Sequence, residues 1–97
     1  MGTHQNKNVI RKIERRLGVK ERTQGVDFVV GGNAYEFAET KEDIRESIGQ
    51  LNRSRVPNSK KLIVPNNLEN FAKEAVKRTG IGIENISGKI LKKSRKK

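Results

Sequence analysis

The chain has 97 residues, no cysteine, 34% charged residues and a formal net charge of +11. That length suits one domain with a modest core. The lack of cysteine excludes a disulfide scaffold and thiolate metal sites, and the charge favours a polyanionic partner, nucleic acid before anionic membrane.

His4 is the only histidine and lies in a polar leader, which argues against histidine metal sites and serine–histidine catalysis. No apolar run reaches membrane-spanning length and no signal pattern opens the chain, so a cytoplasmic protein with no membrane partner is expected. Three divisions are expected: a flexible leader over 1–7, one α/β domain over 8–87, and a basic, disordered tail over 88–97.

Apolar Val9, Ile10, Ile13 and Leu17 predict a helix over 8–17, with Asn8 as N-cap and Gly18 as its stop. Its other face carries Arg11, Lys12, Arg15 and Arg16, which with Lys92, Lys93 and Arg95 of the tail are candidate nucleic-acid contacts. A short extended segment is expected within 19–24. Val26–Val30 and Tyr35–Lys41 then read as a hairpin around the turn Gly31-Gly32-Asn33-Ala34.

Ile44, Ile48 and Leu51 at i, i+4, i+7 predict a helix over about 42–55, and Pro57 prevents its continuation. Lys61–Val64 reads as an interior strand. Leu68, Phe71, Ala72, Ala75 and Val76 give a second helix closed by Gly80, and Ile81, Ile83 and Ile86 a last strand. No internal repeat is visible. Strand–helix–strand crossovers in series require a mixed sheet flanked by helices, an α/β fold with the order α-β-β-β-α-β-α-β.

An antiparallel hairpin sets its first residues beside its last. With that turn, Asp27 falls next to Glu39 and Lys41, which share one strand face. Two carboxylates and the backbone carbonyl of Thr40 offer oxygen ligands to Mg²⁺ or Mn²⁺. A bound cation would polarise a phosphodiester, with Lys41 orienting water or stabilising phosphoryl charge. Plainer roles exist for the same residues. Asp27 can cap a turn or pair with an arginine, although an acid inside Val-Asp-Phe-Val-Val is awkward without a purpose. Glu39 and Lys41 can form an exposed ion pair at a strand end. Glu36, on the other strand face, is expected to be exposed or salt-bridged.

Asp27, an eleven-residue gap and Glu39-Thr40-Lys41 resemble the PD-(D/E)xK nuclease superfamily over roughly residues 8–87. Small archaeal Holliday-junction resolvases look similar through the hairpin. Gln50-Leu51 resembles the Gln-Leu pair of RecB-like and mismatch-endonuclease-like branches. The resemblance implies a restriction-endonuclease-like core, with Asp27 and Glu39 as metal ligands and Lys41 as the catalytic lysine. It also implies Gln50 as a supporting site residue and Glu14 as an acid contributed by the first helix. Val26 stands where the family has proline. The implied activity is metal-dependent endonucleolytic hydrolysis of DNA, on branched or structured substrates, a setting in which a homodimer is suitable. The alternative is a non-catalytic nucleic-acid-binding module on the same fold.

Overall fold

The computed structural model describes residues 7–56 and 58–94. Three helices and a five-stranded mixed sheet make up a small α/β fold. Helix α1 (Lys7–Leu17) buries Ile10 and Ile13 and stops at Gly18, whose φ of 77° is left-handed. The helix takes in Asn8, so Asn8 is not its N-cap.

The hairpin is tighter than the sequence reading proposed. Strands β1 (Phe28–Val30) and β2 (Asn33–Phe37) are joined by Gly31 and Gly32 alone. Their φ angles of 59° and 78° suit the two-residue turn whose twist matches that of paired strands. Asn33 is therefore a strand residue, paired with Val30, and its side-chain amide donates to the Val30 carbonyl at 3.1 Å. Phe28 pairs with Tyr35, and one step further the ladder sets Asp27 opposite Glu36.

Helix α2 (Lys41–Arg53) is capped by Thr40, whose Oγ1 accepts from the Asp43 amide at 3.1 Å. Glu42 and Asp43 in its first turn suit the positive end of the helix dipole. Strand β3 (Lys60–Val64) runs parallel to β2. A 3₁₀ turn over Asn66–Leu68 leads into α3 (Glu69–Ala75), which ends short of the expected Gly80. Strand β4 (Gly82–Asn85) lies parallel to β3, and β5 (Ile90–Lys92) returns antiparallel to it. The spatial order follows the chain, β1 to β5.

Three expectations change. No strand forms within 19–24. That segment instead bonds its Glu21 amide to Glu14 Oε2 at 2.8 Å and its Arg22 amide to the Asp27 carbonyl at 2.7 Å. The additional strand is β5, inside the segment expected to be a disordered tail. The element order is thus α-β-β-α-β-α-β-β, and the fold extends past residue 87. Lys92 belongs to the sheet, and its Nζ donates to the Ile81 carbonyl at 3.1 Å. Gly82 permits β5 to lie this close, since a Cβ there would sit 2.6 Å from the Ser94 nitrogen. The leader over 1–6, Pro57 and the tail end with Arg95 lie outside the described residues.

Side-chain alternation divides the core between the two sheet faces. Ile10 and Ile13 of α1 pack on Phe28, Tyr35, Phe37 and Ile63. On the opposite face, Ile44 and Leu51 of α2 and Ala72 of α3 join Ala34, Leu62, Val64 and Ile83. Among the described residues no helix is long and apolar enough to cross a membrane.

Candidate active site on the hairpin

Asp27 and Glu36 are both buried, 3% and 1% exposed, although each carries a carboxyl group. Their side chains brace the open end of the hairpin reciprocally. The Asp27 amide donates to Glu36 Oε2 at 2.8 Å, and the Phe37 amide donates to Asp27 Oδ2 at 2.9 Å. Each acid thus satisfies a backbone donor of the other strand, as burial of such groups demands.

Glu36 alternates with Tyr35 and Phe37, so it lies on the α2–α3 face. Lys60 of β3 pairs with Ala34 of that same face. The register therefore sets Glu36 of β2 and Lys60 of β3 on one sheet face, with Asp27, the residue before β1, opposite Glu36. Adjacent strands lie about 4.8 Å apart, and long side chains reach diagonal neighbours at that spacing.

Glu39, Thr40 and Lys41 sit elsewhere than expected. Strand β2 ends at Phe37, so Glu39 and Lys41 do not share a strand face. Glu39 lies in the connection to α2 and donates its amide to Asp43 Oδ2 at 3.2 Å. The Thr40 carbonyl, expected as a metal ligand, accepts the first helical bond from the Ile44 amide at 3.0 Å. Lys41 opens α2, and its Nζ lies 5.3 Å from the centre of the Phe71 ring, which Arg45 also covers at 5.3 Å. Gln50 Oε1 accepts from Arg53 Nη2 at 2.8 Å. Glu14 is taken up in holding Glu21, as described above.

Of the basic residues proposed on α1, Arg11, Lys12 and Arg15 are exposed. Arg16 has a structural part. Its Nη1 lies 3.1 Å from Oε1 of buried Glu84, a charge contact without hydrogen-bond alignment. Lys61 approaches the other Glu84 oxygen at 3.3 Å. Lys93 is exposed beyond β5.

Sequence reasoning missed Glu36 and Glu84. For Glu36 the signal was present. Gly-Gly is a preferred two-residue hairpin turn, and taking it as such moves the register by two residues. Glu84 offered no such signal, because Gly-Ile-Glu-Asn reads equally well as an exposed strand end.

Among the described residues no group of three or more His, Cys, Asp or Glu side chains is placed to hold a metal. Two carboxylates nevertheless match the donor set of Mg²⁺, which is commonly held by one or two acids plus waters and substrate phosphate. No protein-family model matches the chain, no curated protein matches it, and no solved structure matches it.

Proposed function

We propose that the protein is a metal-dependent endonuclease acting on DNA, with Asp27 and Glu36 as its paired acids. The observation that carries this reading is that pair: two buried carboxylates bonded reciprocally at the open end of the hairpin, in a chain of net charge +11. Buried acids are uncommon without a purpose, and the positive field draws in a phosphate backbone.

In this reading Asp27 and Glu36 hold Mg²⁺ or Mn²⁺ through hard oxygen donors. When bound, such a cation polarises the phosphate and lowers the pKa of a bound water. Lys60, on the same sheet face, takes the role first given to Lys41 and stabilises negative charge on the phosphoryl oxygens. The α2–α3 packing beside the pair keeps the two acids in one orientation. Arg11, Lys12 and Arg15 contribute affinity for the backbone without reading sequence.

A second reading has its own support. Two residues after Glu36, where the family pattern has lysine, stands Ala38, buried in the core. The reciprocal bonds of the two acids also serve the hairpin without any reaction. Together these favour a nucleic-acid-binding module that has no turnover.

Incubation with Mg²⁺ or Mn²⁺ and labelled single-stranded, duplex, flap and four-way-junction DNA separates the two. The nuclease reading expects metal-dependent cutting that Asp27→Asn and Glu36→Gln each reduce at least about 100-fold, with binding retained. Binding of these DNAs with no cutting by the unaltered protein would leave the binding module.

A further inference from the structure

We infer that the cleft at the carboxyl ends of β3 and β4 binds one unpaired nucleotide of a nucleic-acid strand. This deepens the proposed function by naming the kind of substrate it takes. The cleft has a volume of about 520 Å³, within the range of small-molecule sites. One wall is α1, which contributes Lys12 and Arg16; the other contributes Asn66, Asn85 and Ser87.

The lining chemistry selects the ligand. Two cations and no acid line the cleft, so it favours an anion. Arg16 spends one nitrogen on Glu84, and a guanidinium carries five N–H donors. Val9 and Ile86 add apolar surface against which a sugar or base can pack. Asn66 and Asn85 present amides, the side chains that pair with base edges. The Asn85 side chain is held in place: its Oδ1 accepts from the Lys89 amide at 2.9 Å and from Ser87 Oγ at 2.8 Å, and its Nδ2 donates to Asn66 Oδ1 at 3.5 Å, so what the two amides offer a base edge is their remaining N–H donors. A phosphate, an apolar surface and base-edge donors in one cleft describe a nucleotide. A base stacked and paired inside a duplex cannot enter such a cleft without leaving the stack.

Position links the cleft to the acids. Val64 and Asn85, the last residues of β3 and β4, pair with each other, and Phe37, the last of β2, pairs with Ile63. Cleft and carboxylate pair thus lie at the same end of the sheet, on opposite faces, separated laterally by about two strand spacings, roughly 10 Å. A strand seated in the cleft therefore lies at the end of the sheet where the two acids are buried.

Fluorescence anisotropy in EDTA, with labelled oligo(dT), oligo(rU) and a blunt DNA duplex, tests the inference independently of cleavage. The expected result is tighter binding of a single strand than of blunt duplex. The double substitution Asn66→Asp/Asn85→Asp then weakens single-strand binding at least about tenfold. Lys77→Glu, on the exposed Lys77–Glu74 pair of the α3 end, lowers net charge equally and weakens it less than about threefold. Lys12→Glu, on the exposed face of α1, repeats the loss, so the result does not depend on one variant's folding. Equal losses in the cleft and control variants, or blunt duplex bound as tightly as single strand, would overturn the inference. Failure of cutting in the metal assay alongside cleft-dependent binding here would discard the nuclease and keep the cleft.

Discussion

Phe37→Ala is expected to cost about 3–5 kcal/mol of stability, as large aromatic truncations in cores do. Phe37 is 2% exposed and sits where α1 meets the sheet, among Ile10, Ile13, Phe28, Tyr35 and Ile63. Those neighbours are themselves buried and packed against the sheet, so they cannot readily close the space. Domains of this size are stable by only about 5–15 kcal/mol, and the variant should lose a large share of that. Urea unfolding followed by circular dichroism would measure it, through a lower midpoint at unchanged slope. A loss below about 1 kcal/mol would mean that α1 is not packed as described.

Glu36 should respond in two different ways to two substitutions. Glu36→Ala removes the acceptor of the Asp27 amide and leaves a buried donor unmatched. Its cost is expected to be about 2–4 kcal/mol, from the lost bond and the cavity together. Glu36→Gln keeps an acceptor oxygen in the same place and should cost about 1 kcal/mol or less. The same glutamine variant is the one expected to abolish metal-dependent cutting. The two denaturation midpoints, read beside the cleavage assay, divide the brace from the reaction. Equal stability of the two variants would show that the bond to Asp27 does not hold the hairpin.

Much of the fold was legible because its helices show strong periodicity. Ile44 and Leu51 became the buried stripe of α2, and Ile10 and Ile13 that of α1. The interior run Leu62-Ile63-Val64 became the buried part of β3, with polar helices covering both faces. β5 was hidden because Ile90-Leu91-Lys92 is short and lies in a lysine-rich segment, where composition argues for disorder. Its strand character comes from pairing with β4, a tertiary effect that no local pattern carries.

The site was half legible, and the reason is one turn. Asp27 stood out as an acid in an apolar strand, and it is indeed buried. Its partner depended on how many residues the turn holds. A four-residue turn sets Asp27 opposite Ala38, one residue from Glu39, whereas the two-residue glycine turn sets it opposite Glu36. A shift of two residues preserves which side chains share a face, so in either register Asp27 shares its face with Glu36 and Ala38, and alternation already set Glu39 on the other one. Lys41 was then read as a strand residue, although Thr40 was already a good N-cap for the helix that follows.

The most direct test of the account places Mn²⁺ on the molecule. Amide resonances of the ¹⁵N-labelled protein would be followed as substoichiometric Mn²⁺ is added, with Glu36→Gln in parallel. The account predicts paramagnetic broadening centred on the amides of Asp27, Phe28, Glu36 and Phe37, lost in the variant. Broadening centred on Glu39 to Asp43, or none at the hairpin, would contradict it.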